Sequence, residues 1–204
     1  MNRIALTNYL GQSSSRSDVT IFLQSFRPEA VAAADSFTVQ IIANGSNQQT
    51  PDNATQLSAG TDVEGNLDAE TIIGLTWPTP LTAYDTGGSP PFLQDDLTFN
   101  NTNEPYLTWL QYILAQSSIP QVISTSYGDD EQTVPYSYAN SVCNGFAQLG
   151  ARGISVLLAA GDNGVGPTAD CFTNDGTNKP TFLPVFPASC VSCIVSLAIR
   201  LYSC

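Results

Sequence analysis

"GISVLLAAG", residues 153–161, decides the fold class. Val156 to Ala160 are apolar without interruption, so both faces of an extended segment here point into protein, as in a parallel strand covered on each side. Glycines at 153 and 161 close the run at both ends. Working outward, "QVISTSYG" (121–128), "LTAYDT" (81–86) and "FTVQIIA" (37–43) are further short runs rich in β-branched and aromatic residues. Helical patterns lie between and beside them at 62–75, 103–116 and 135–153. In the last, Ala139, Val142, Cys143, Phe146 and Leu149 recur at three- and four-residue steps. Strands alternating with helices predict an α/β fold, a mainly parallel sheet with helices on both faces and right-handed crossovers.

Composition narrows the partners. The 204 residues carry 18 acids against 6 bases and no histidine, a net charge of −12. Such a polyanion repels phosphate backbones and anionic lipid, so the sequence predicts neither a nucleic-acid nor a membrane partner. An acidic habitat relieves its self-repulsion. No apolar run is long enough to span a bilayer, and "MNRIALTNYLGQ" lacks the apolar stretch of a signal peptide. Cysteines 143, 171, 190, 193 and 204 leave at least one unpaired within the chain, and their pairing is open. Without histidine or a second C-x-x-C, no metal site is expected. Sequons begin at Asn44, Asn53 and Asn100, and with the cysteines they lean towards a secretory route.

Two features bear on chemistry. In "DVEGNLDAE" (62–70), Glu64 and Asp68 stand four apart on a predicted helix, with Cβ atoms ~5–6 Å apart, close enough for the carboxyls to share a proton. Such a pair retains an ionised oxygen in acid and can act as a general base without histidine. The spacing equally suits two acids at a helix N-terminus beside polar surface. In "AAGDNGVG" (159–166), Asp162 follows a buried strand, where open α/β sheets place their sites. Held protonated, it could donate to a developing oxyanion; Asp and Asn-Gly are equally ordinary turn residues.

The stretch "PQVISTSYGDDEQTVP…YANSVCNGFAQLGARGISVLLAAGDNGVG", followed by "CFTNDG" and "FLPVFPASC", resembles the sedolisin family of serine-carboxyl peptidases, in its fungal tripeptidyl-peptidase branch. "SRSDVTIFLQSF", "EGNLD" and "NEPYLTWLQYIL" fall in the same order as in that family. The resemblance implies a subtilisin-like α/β fold. It further implies that Glu64 is the general base towards a serine, that Asp68 orients it, and that Asp162 is the oxyanion donor. Ser126, Tyr127 and Gly128 would line a cleft that pairs with an extended peptide. The implied partner is a peptide or polypeptide substrate, the implied state a monomer, and the implied location extracellular.

Departures from the family pattern set further expectations. Gly65 replaces the usual alanine after the base, at a helix cost of roughly 0.5–1 kcal/mol. Residues 1–190 read as the amino-terminal part of the peptidase domain and 191–204, "VSCIVSLAIRLYSC", as a divergent apolar tail that could add an improvised strand. Neither the family's Ser-Gly-Thr-Ser nucleophile turn nor its aspartate-rich calcium site occurs in the 204 residues, so no cofactor is expected here, although full-length members are expected to bind calcium. The expectation is a C-terminally truncated chain, inactive alone. The alternative is a non-catalytic peptide-binding fragment or decoy. A glycosidase using Glu64 and Asp68 is weaker, because one helix would place both acids on the same side of a sugar.

Overall fold

At the centre of one sheet lies β1 (Ile4–Asn8), a strand that the sequence pattern does not announce. The computed structural model describes residues 2–164 and 171–191, and the backbone of 194–196. The chain divides into two units, Met1–Gly88 with Pro120–Ser124, and Ser89–Ile119 with Thr125–Cys204.

In the first unit β1 pairs parallel with β3 (Leu81–Thr86) on one side and with β4 (Val122–Thr125) on the other, and β2 (Thr38–Ile42) extends the sheet beyond β3. Helix α1 (Arg16–Phe26) turns Val19 and Leu23 into the core, and α4 (Val63–Thr76) turns in Ala69 and Ile73. These meet Leu6 and Ala83 of the sheet in one apolar cluster. The short helices α2 (Ala32–Ser36) and α3 (Ala54–Ala59) complete the unit. Arg16 ties α1 to the end of α2: its guanidinium donates to the carbonyls of Ala34 (2.9 Å) and Phe37 (2.8 Å) and lies 4.3 Å over the Phe37 ring. Asn53 begins α3 with a capping box, its side chain accepting from Thr55 and Gln56 while Gln56 reaches back.

In the second unit α5 (Tyr106–Leu114) packs on α6 (Tyr136–Ala151). A methyl group at Gly145 would stand 2.8 Å from Leu110 Cδ1, so the glycine permits the close approach. The Trp109 and Phe146 rings meet at a tilt of 41° beside it, 6.1 Å between centroids. Strand β6 (Ser155–Ala159) follows α6, and β5 (Asp129–Asp130) pairs antiparallel with β7 (Val185–Phe186). A disulfide joins Cys143 of α6 to Cys190, and Cys171 is also disulfide-bonded. Part of the apolar tail does form a strand: β8 (Ile194–Ser196) pairs parallel with β6, Leu157 opposite Ile194. The rest of the tail, 192–193 and 197–204, lies outside the described residues.

The architecture is the mainly parallel α/β arrangement that the sequence predicts. All four expected strands form within their predicted stretches, and the three expected helices form at 63–76, 106–114 and 136–151. Helix α5 starts three residues late, because Asn103 and Glu104 are buried in side-chain contacts instead.

Candidate active site

Helix α4 carries both acids of the predicted pair. Glu64 sits half-buried in the first turn and Asp68 is buried one turn later, while Val63 and Leu67 face outward. What fixes this turn is the loop after β1. Leu10 and Gly11 take left-handed conformations, which bring residues 12–15 alongside α4. Gln12 Oε1 accepts from the amide of Glu64 (3.1 Å), serving as the cap that Asp62 does not supply. Ser13 N–H donates to Asp62 Oδ1 (2.7 Å), Ser14 Oγ to the Gly65 carbonyl (2.7 Å), and Ser15 N–H to Asn66 Oδ1 (2.7 Å). A methyl at Gly65 would collide with the Ser13 carbonyl. Gly65 is therefore more than a helix cost: it lets α4 approach the loop more closely than alanine would.

Beneath this turn lies a buried polar chain. Asn8, at the end of β1, donates through Nδ2 to Asp85 Oδ1 (2.8 Å) on the neighbouring strand and to Ser14 Oγ (3.1 Å). All three side chains are fully buried. Burial raises the Asp85 carboxyl to about 7; the Asn8 hydrogen bond opposes the rise and the charge of Asp62 adds to it. Its Oδ2 has no hydrogen-bond partner among the described residues. Asp62 is itself raised, first by burial.

The second unit holds the other predicted residues. Ser126, Tyr127 and Gly128 follow directly on β4, with Tyr127 buried. A methyl at Gly128 would come 2.7 Å from Val185 Cγ1, so this segment lies against β7. Val185 also lines a cleft of about 480 Å³ with Ala160, Gly164, Phe182, Leu183 and Pro184. Asp162 follows β6 with its side chain exposed, and residues 165–170 beyond it lie outside the described residues. Glu64 and Asp68 thus share one helix, whereas Ser126–Gly128 and Asp162 belong to the other unit. Among the described residues no group of three or more Cys, Asp or Glu side chains could hold a metal ion.

No family model matches the chain. It is 42% identical over 194 residues to tripeptidyl-peptidase sed4 of Aspergillus fumigatus and 40% identical over 194 residues to tripeptidyl-peptidase SED2 of Arthroderma otae, matches that cover 93% of this chain. Among solved structures, a Pseudomonas sedolisin (serine-carboxyl proteinase) complexed with two molecules of pseudo-iodotyrostatin matches 95% of this chain and 47% of its own, with a TM-score of 0.52 and 19% identity. The chain belongs to the sedolisin family. It spans about 31% of the length of the curated relatives it matches.

Within this sedolisin-family chain, sequence reasoning names Glu64, Asp68, Asp162 and Ser126–Gly128 but misses Gln12, Ser14, Asn8 and Asp85. "LGQSSS" carried a signal, a glycine turn followed by small hydroxyl residues. The pairing of Asn8 with Asp85 carried none, because it exists only through strand register.

Proposed function

We propose that the chain carries the base side of an acid-acting serine-carboxyl peptidase that hydrolyses peptide bonds in peptides or polypeptides, with tripeptide release as its reaction. The observation that carries the reading is the acid pair on α4, held by the loop 12–15, in a chain about 40% identical to tripeptidyl-peptidases over 93% of its length. Glu64 accepts the proton of a serine hydroxyl as its oxygen bonds to the scissile carbonyl carbon. Asp68 orients Glu64 through a shared proton, and Asp162 donates to the oxyanion. Glu64 then returns the proton to the leaving amine as the carbon–nitrogen bond breaks. Ser126–Gly128 pair with the extended substrate. The Val185 cleft is apolar enough to receive a substrate side chain.

The attacking serine has no counterpart within these 204 residues, so the polypeptide taken by itself binds peptides without turning them over. Residues 1–190 act as the amino-terminal part of the peptidase domain and 191–204 as a divergent tail. We place the protein outside the cell, in an acidic setting. Among the described residues no helix is long and apolar enough to cross a membrane, and the three sequon asparagines are exposed.

The test is to sequence the transcript through its 3′ end, express the complete reading frame and follow tripeptide release from peptides with a free amino terminus at about pH 4, in the acid titration range. Release supports the reading. A frame that includes a nucleophile turn and releases nothing overturns it. A frame that stops at residue 204 and binds peptide in acid leaves the decoy reading in its place.

A further inference from the structure

A second pair of acids, used by none of the chemistry above, lies in the second unit. Glu104, just before α5, and Asp129, in β5, are 4% and 6% exposed. The Tyr106 hydroxyl donates to Glu104 Oε2 (2.9 Å). The Asp129 carboxyl faces the Glu104 carboxyl and the Glu104 backbone N–H, yet its Oδ2 meets no N–H or O–H donor. Two carboxyl groups can bond to each other only if one of them keeps its proton. The charged groups that bear on Asp129 are Glu104 and Asp130, both acids. Tyr138 of α6 adds no positive charge: burial pushes its hydroxyl up to about 12, and that hydroxyl accepts from the Leu107 amide and donates to the Glu104 carbonyl. Phe186 and Val185 of β7, opposite Asp129 and Asp130 respectively, are apolar.

We propose that Glu104 and Asp129 share a single proton in the folded protein, Asp129 donating to Glu104, and that this buried pair makes the fold of its unit acid-dependent. Two adjacent negative charges are strongly disfavoured in a buried site that supplies no cation. In the unfolded chain both groups ionise near pH 4. Burial raises both in the folded unit, Asp129 further through the charge of Glu104. The pair titrates as one system, so the retained proton belongs to both. Because the folded state binds the extra proton, its stabilisation is complete below about pH 4 and is lost as pH rises towards the raised folded value. The device does not depend on Glu64 or on any catalytic role.

The chain contains two tryptophans, Trp77 in the first unit and Trp109, fully buried, in the second. In a Trp77→Phe background, urea unfolding followed by Trp109 fluorescence reports on the second unit. Its unfolding constant is expected to rise by up to about tenfold per pH unit above pH 4. Asp129→Asn, whose amide can still donate to Glu104, is expected to remove one proton's worth of that slope. An unchanged slope overturns the proposal. Should Asp129→Asn fail to fold, the infrared carbonyl band of a protonated carboxylic acid decides. Measured at pH 8 in an Asp85→Asn background, the folded chain must keep that band, and its absence overturns the proposal.

Discussion

Asp85→Asn separates a titrating buried acid from an ordinary polar core residue. In the wild type, burial lifts Asp85 from its usual value near 3.8 to about 7. The folded first unit therefore binds this proton more tightly than the unfolded chain does. The stability contributed is complete below about pH 4 and disappears between pH 4 and 7 as the unfolded carboxyl ionises and the folded one resists. Three units correspond to at most about 4 kcal/mol, at 1.36 kcal/mol per unit. The asparagine variant keeps an acceptor for Asn8 and puts an N–H₂ at Oδ2, where the protonated wild-type carboxyl holds an O–H that also has no partner, so at pH 4 the two proteins are expected to differ by less than about 1 kcal/mol. The variant is thus close to wild type in acid and more stable near neutrality, where only the wild type must keep a proton on a buried acid. Urea unfolding at pH 4, 5, 6 and 7 measures both curves, with Trp77 reporting on the first unit; Asp129 is present in both proteins and cancels in the difference. Curves that stay parallel across this range would refute a raised, buried Asp85.

Other substitutions give sharper local tests. Ser14→Ala removes the donor to the Gly65 carbonyl and the acceptor for Asn8, and is expected to lower unfolding stability by about 1–3 kcal/mol. Arg16→Ala loses two charged hydrogen bonds and the contact with Phe37, for about 2–4 kcal/mol by thermal or urea unfolding; Arg16→Lys, which cannot fork to both carbonyls, recovers only part. Gly128→Ala drives a methyl into Val185 and is expected to cost about 1–3 kcal/mol and to weaken peptide binding, read by calorimetry at pH 4. Cys143→Ser opens the link to Cys190, 47 residues away, and is expected to cost about 2–4 kcal/mol in unfolding under non-reducing conditions.

The elements legible in the sequence are those whose pattern reflects burial directly. Val156 and Leu158 lie in the core and Val142, Phe146 and Leu149 mark the buried stripe of α6, whereas Leu157 is exposed, so β6 departs from the expected burial of both faces. Strand β1 was hidden because its last two residues, Thr7 and Asn8, are polar and fully buried, which composition reads as surface. Asp85 is the last residue but one of β3, close to where acids commonly begin turns, and nothing local distinguishes it. Glu104 and Asp129 lie 25 positions apart, and only the return of the chain after α5 brings them together. The acid pair Glu64 and Asp68 was legible because helical spacing is local. The loop that holds it was not, since residues 12–15 reach α4 across some fifty positions.

The proposed chemistry stands on Glu64 as a general base oriented by Asp68. The most direct measurement compares tripeptide release at pH 4 by the expressed complete reading frame with that of its Glu64→Gln and Asp68→Asn variants, using Glu70→Gln on the same helix as a control. In Glu64→Gln kcat is expected to fall by about 10²–10⁴-fold, with a large loss in Asp68→Asn and little change in the control. Release that persists undiminished in Glu64→Gln would contradict it.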